Sequence, residues 1–206
     1  ADGARVVVKA DQDPVRHARE VTALTAAAAA GAPVPALRAR LVDTCAIAVL
    51  AEIPTRASLR TGAPAWRAAG AAIRALHATP IPAGLRMFAD GGADWDAHVA
   101  RRIDIECELA VERGLFGRAD AEAIRADAAR ALAAAGPVAP VLVHGDLQAR
   151  HVLVDGDRVV LVDLGDAGWG DPALDLVVLT HLDLERRAEV LAGDAAERAL
   201  RARVAA

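Results

Sequence analysis

Short apolar runs near both ends of the chain enclose a longer stretch with helical periodicity. Arg5–Ala10 (RVVVKA) strings three valines together and predicts a strand that carries Lys9. Asp13 then offers an N-cap and Pro14 a first helical turn, and Val21, Leu24 and the alanines carry that helix to Gly31. Pro33 and Pro35 make an extended connection. Leu37–Val42 and Ala46–Ala51 predict two strands joined by a tight polar turn at Asp43–Thr44.

After Glu52–Pro54 the period becomes helical. Trp66–His77 sets Ala69, Ile73, Leu76 and His77 on one side, and Pro80 and Pro82 end it. Asp94–Arg113 predicts a longer helix broken at Gly114 and Gly117, and Asp120–Ala135 another. Three apolar runs follow, at Val141–Val143, Val152–Val154 and Val159–Val162. They predict short buried strands that deliver the polar groups between them to one rim. One helix from about Pro172 to Leu191 and a last one over Asp194–Val204 close the chain. No internal repeat is evident, and the alanine-rich patches read as helix filler.

Composition narrows this reading. A length of 206 residues, 54% hydrophobic against 25% charged, suits one or two folded domains rather than a disordered chain. Aromatics are 2% and Tyr is absent, so the core must be aliphatic. The net charge of -4 and the lack of a basic stripe with aromatics argue against nucleic acid as a partner. Cys45 and Cys107 stand apart with no metal-ligand spacing, which indicates a reducing compartment and no structural zinc. The apolar stretch around Ala26–Leu37 is broken by Gly31, Pro33 and Pro35, so neither a secretory segment nor a membrane span is visible, and a cytoplasmic location is expected. Of 24 basic residues only Lys9 is a lysine. A compact ammonium on a flexible stem suits phosphate oxygens, although a lone strand-end lysine needs no such role.

The candidate chemistry lies in His144–Leu176, HGDLQARHVLVDGDRVVLVDLGDAGWGDPALDL. Asp146 follows a strand and a glycine, where it can orient an acceptor hydroxyl and take its proton. His144, at the end of the strand, suits bracing of the loop better than base chemistry. His151 can ligate a divalent ion or hold the loop by a hydrogen bond. Asp163 follows a further strand and offers the hard carboxylate that magnesium prefers. Taken one at a time, these acids are equally suited to capping turns.

Together these motifs resemble the aminoglycoside phosphotransferase family of small-molecule kinases, whose pattern is HGDxxxxN, an IDxxD-like metal motif and GDPxxDL. They stand here as His144–His151, Val162–Asp166 and Gly170–Leu176. The resemblance implies an α+β, two-lobed protein-kinase-like fold. Residues 1–52 would be a truncated, β-rich N-lobe and residues 53–206 a mainly helical C-lobe. It implies Asp146 as the catalytic aspartate and Asp163 as the magnesium aspartate, with His151 at the second metal position. Lys9 would reach the nucleotide phosphates with Glu20 as its ion-pair partner, and Glu52–Ile53 would be the hinge that receives the base. Asp171 and Asp175 would be structural, with Asp171 at a helix N-terminus. Mg2+ and ATP or GTP are the implied cofactors.

Two departures from the family pattern stand out. The metal-binding Asn is His151, in a chain without any Asn; macrolide phosphotransferases resemble it in having His there. Only eight residues precede Lys9, fewer than the strands and nucleotide-covering loop expected upstream, and no GxxxxGK[ST] loop is present. An N-terminally incomplete kinase, or one without its lid, is therefore expected. In this family the acceptor lies between the catalytic loop and the helices inserted before it. Asp104, Glu108 and Glu112 recur there every four residues and could attract a cationic aminoglycoside, while Ile103, Ile105, Leu109 and Val111 could suit a macrolide. Asp166 is a further candidate at the acceptor. The same charges also suit a solvated helix face. The expected partners are a small hydroxyl-bearing acceptor, an antibiotic or a related metabolite, and a nucleoside triphosphate. Two other readings remain: a kinase-like nucleotide-binding protein without catalysis, and a metal hydrolase built on His144, Asp146, His151 and Asp163.

Overall fold

The computed structural model describes residues 5–42, 46–53, 59, 63–85, 94–155, 158–181 and 184–192. Strand β1 (Val6–Asp11), helix α1 (Pro14–Ala29), β2 (Leu37–Val42) and β3 (Ala46–Ala51) come first. The three strands form an antiparallel sheet in the order β1-β3-β2, with Lys9 opposite Ala48 and Leu41 opposite Ile47. On β3, Ala46, Ala48 and Leu50 are buried and alternate with less buried neighbours, because α1 covers only one face. Asp13 caps α1 by accepting from the Val15 and Arg16 N–H groups, and Val21, Leu24 and Ala27 form its buried stripe. On β1 the valines Val6, Val7 and Val8 stay exposed. The expected turn at Asp43–Thr44, Cys45 and the helix over 194–204 lie outside the described residues.

Helices α2 (Ala63–His77), α3 (Trp95–Glu112) and α4 (Arg118–Ala135) follow. Trp66, Ala69, Ile73 and Leu76 of α2 are all buried; at about 1.5–3 kcal/mol for each large side chain taken from water, this stripe fixes the helix on the core. Asp94 caps α3 by accepting from Asp96 N–H at 2.9 Å.

Strands form at all three predicted apolar runs, divided between two small two-stranded sheets. Strands β5 (Val152–Asp155) and β6 (Arg158–Leu161) form a hairpin, while β4 (Val141–Val143) pairs with β7 (Gly168–Gly170). The short GWG of β7 carries no alternation to mark it. Its place is set by close approach: a Cβ on Gly170 would lie 2.5 Å from the Trp95 ring at the start of α3. The expected helix over 172–191 is two, α5 (Ala173–Thr180) and α6 (Leu184–Leu191). Leu176 and Leu179 of α5 and Val190 and Leu191 of α6 all belong to one core, and α6 packs on α2.

The first sheet and the later elements are stitched together. Leu161 N–H donates to the Pro33 carbonyl at 2.8 Å, and α1 packs on a 3₁₀ turn at Leu164–Asp166.

Candidate functional site

Lys9 leaves β1 with its Nζ 2.8 Å from Glu20 Oε2 and 2.6 Å from Asp163 Oδ1. Glu20 is almost wholly buried on α1. Burial works against the ammonium, but the hydrogen bonds to Asp163 and Glu20 outweigh it, so the lysine pKa stands above its ordinary value. At Asp163 burial favours the neutral acid, yet the hydrogen bond and charge of Lys9, with the charge of Arg16, hold the carboxyl below the usual range. The lysine remains an ammonium and the aspartate a carboxylate at neutral pH.

These groups stand at one end of a cavity of about 310 Å³. Val7, Leu50, Ile53, Leu153 and Val162 line it with apolar surface, and Lys9, Glu20 and Asp163 supply its polar end. A flat heterocycle with a charged tail suits such a cleft. Glu52 lies beside it: its N–H donates to the Arg5 carbonyl at 3.2 Å, and its carboxylate is 2.7 Å from Arg5 Nε.

Asp163 sits two residues past the end of β6 with φ 65° and ψ 61°, and is the sole non-glycine residue in the left-handed region among those described. Asp tolerates that conformation better than most residues. The backbone thereby turns sharply into the 164–166 turn while the carboxylate points to Lys9.

Asp146 lies in the loop after β4, where Gly145 takes φ 85°. One carboxylate oxygen accepts from Gln148 Nε2 at 2.7 Å, and the other is 3.5 Å from Arg150 Nη2. Arg150 also hydrogen-bonds Gln148 Oε1. His151, nearly buried, has Nδ1 2.6 Å from the Asp146 carbonyl. A carbonyl only accepts, so Nδ1 carries the ring hydrogen and Nε2 keeps its lone pair. That lone pair accepts from Arg150 Nε at 3.0 Å and lies 3.7 Å from Asp163 Oδ2.

The chemistry of this donor set fits magnesium. An imidazole lone pair and a carboxylate oxygen 3.7 Å apart are within the span of one ion with bonds of about 2.1 Å. Among the described residues no group of three or more His, Cys, Asp or Glu side chains is arranged to hold a metal. Magnesium needs none, since it keeps water and takes phosphate oxygens alongside one or two protein ligands.

Behind the loop lies a wholly buried carboxylate. Asp175 on α5 accepts from the backbone N–H groups of His144 and Gly145 at 2.8 and 3.0 Å, and is 3.0 Å from His77 Nε2 on α2. Burial alone would raise its pKa, but His77 and the His144 N–H hold it below the ordinary value. The His144 Nε2–H donates to the Val162 carbonyl at 2.9 Å, joining the Asp146 loop to the residue before Asp163. Asp171 Oδ1 accepts from the Ala173 N–H in the first turn of α5.

The sequence model of the phosphotransferase enzyme family matches residues 1–206, the whole chain. The chain belongs to the phosphotransferase enzyme family. No curated protein matches this phosphotransferase-family chain by sequence. Among solved structures it is similar to the gentamicin complex of APH(2'')-IIa, with a TM-score of 0.71 at 18% identity, covering 95% of this chain and 72% of that one. It is also similar to ADP-bound aminoglycoside phosphotransferase APH(2'')-Ib, with a TM-score of 0.67 at 19% identity, covering 96% and 74%. A choline/ethanolamine kinase family protein from Mesorhizobium loti gives 0.69 at 21%, covering 98% and 70%. The fold is thus kinase-like.

Within this member of the family, the structure gathers Lys9, Glu20 and Asp163 at one cavity, with His151 3.7 Å from Asp163 and Asp146 beside His151. Asp166 lies 3.2 Å from Arg16 Nη2. Asp104 and Glu108 are placed otherwise: both meet Arg125 of α4, at 2.7 and 2.5 Å, so their charge is shared with the neighbouring helix. Sequence reasoning missed Arg16, Arg150, Gln148 and His77 as partners of the site. Arg16 alone carried a signal, since it lies four residues before Glu20 and shares its helix face.

Proposed function

We propose that this phosphotransferase-family chain is a small-molecule kinase that transfers the γ-phosphoryl group of ATP or GTP to a hydroxyl of an antibiotic or related metabolite. The observation that carries the reading is Lys9, bridged to Glu20 and Asp163 at the polar end of an apolar cavity. The structural relatives bound to ADP and to gentamicin support the same classes of donor and acceptor.

The base of the nucleotide lies among Val7, Leu50, Ile53 and Leu153, beside the hinge at Glu52–Ile53. Lys9 keeps its charge under Glu20 and binds the phosphate oxygens. Asp163 and His151 are the residues that would hold Mg2+, which would draw charge from those oxygens. The Asp146 carboxylate, oriented by Gln148, accepts a hydrogen bond from the acceptor hydroxyl and takes its proton as the phosphoryl group moves. The fixed hydrogen on His151 Nδ1 holds the Asp146 backbone in place for that step.

The test is Asp146→Asn, which keeps the shape of the side chain and removes its basicity. Nucleotide-dependent phosphorylation across a panel of aminoglycosides, macrolides and small hydroxylated metabolites should fall by about a hundredfold or more, the usual worth of a positioned base. Nucleotide binding, read by thermal shift with ATP, GTP and Mg2+, should persist. Full turnover in the variant removes Asp146 from the mechanism, and wild-type binding without turnover on any acceptor favours a non-catalytic nucleotide-binding protein.

A further inference from the structure

Arg16 takes no part in the chemistry above, yet its guanidinium is held among three carboxylates, those of Asp11, Asp163 and Asp166. It leaves α1 one turn before Glu20, on the same face. Its Nη2 lies 3.2 Å from Asp163 Oδ1 and 3.2 Å from Asp166 Oδ2, and its Nη1 lies 3.2 Å from Asp11 Oδ2. The turn is shaped to receive it: a Cβ on Gly165 would lie 2.5 Å from Arg16 Cζ. The other metal donor is held by a cation in the same way, since Arg150 Nε donates to the His151 Nε2 lone pair.

We infer that Arg16 is a built-in counter-cation of the metal site, which balances the charge of Asp163 and Asp166 until a divalent ion bound to Asp163 takes over that role. This rests on the reading of Asp163 as a metal ligand. Two carboxylates on one short turn repel each other, and a planar, weakly hydrated guanidinium relieves that repulsion without water. An arriving dication held through Asp163 Oδ2 and His151 Nε2 meets the positive charge of Arg16, which with Lys9 already holds the same carboxylate through Oδ1, and competes with Arg16 for the negative charge of Asp163 and Asp166. Arg16 is rooted on α1, so the exchange also releases a tie between that helix and the 164–166 turn. Asp11, which holds the other guanidinium nitrogen, keeps Arg16 nearby after it yields.

The test is calorimetric titration of Mg2+ and Mn2+ into the nucleotide-free whole chain, in the wild type, Arg16→Gln and Arg16→Lys, with Asp163→Asn to identify the site. Removing two partly exposed ion pairs from the competition should tighten metal binding by about 2- to 30-fold in Arg16→Gln. Arg16→Lys, which keeps the charge but loses the fork, should fall between, and it carries the test if Arg16→Gln does not fold. The metal-free melting temperature of Arg16→Gln should drop, and Mg2+ should raise it by more than it raises that of the wild type. Metal binding that depends on Asp163 but is unchanged or weaker in the Arg16 variants overturns the exchange alone. Metal binding absent throughout, or indifferent to Asp163→Asn, overturns the metal assignment and the exchange with it.

Discussion

Asp175 holds the backbone N–H of His144 at 2.8 Å from 31 residues further along the chain. This one contact fixes where β4 ends and the Asp146 loop begins. Its other oxygen takes the Gly145 N–H and His77 completes the set, so a fully buried charge is met by donors from α2 and the loop.

Removing that charge should unsettle the loop. Asp175→Asn leaves His77 and two N–H groups facing a poorer acceptor, and a loss of about 3 kcal/mol is expected from breaking a buried pair. The folded-state pKa lies below the ordinary value of 3.8, so the stabilisation is complete above pH 3.8 and is lost as the pH falls from there through the folded value. Denaturant unfolding followed from pH 7 to pH 3 should show the wild type losing this margin at the acid end. The Asn variant should be weaker at pH 7 and show a shallower acid slope.

Gly70 is the point where α2 touches α6. A Cβ there would fall 2.0 Å from the Val190 carbonyl oxygen, a backbone atom that cannot turn aside. Gly70→Ala should therefore destabilise the chain by about 1–3 kcal/mol through overpacking, against the usual gain of alanine over glycine in a helix. Thermal unfolding checks this, and a melting temperature at or above that of the wild type would show that the helices can move apart freely.

Arg125 decides how the acidic face of α3 behaves. It pairs with both Asp104 and Glu108 in solvent, so Arg125→Ala should change the melting temperature little. If those carboxylates attract a cationic acceptor, the same variant should lower the KM for an aminoglycoside without changing that for the nucleotide. An unchanged KM assigns the pair to holding α3 against α4.

The local pattern of the chain determined a good deal. Valine runs gave β1, β4, β5 and β6, the Asp13–Pro14 start gave α1, and the apolar stripe from Trp66 to Leu76 gave α2, because each rests on neighbours in sequence. The string from His144 to Leu176 also named Asp146, His151 and Asp163 as residues that belong together chemically. Tertiary structure alone decided which atoms meet. Three glycine-spaced residues became β7 only by pairing with β4, and the expected long C-terminal helix is two helices whose apolar residues share one core. Asp104 and Glu108 found Arg125 on the next helix, and Arg16 found Asp163 and Asp166 from the far end of the chain. Periodicity reports which face of an element is apolar; it does not report which element that face will meet, and the charges of this cleft are set by those meetings.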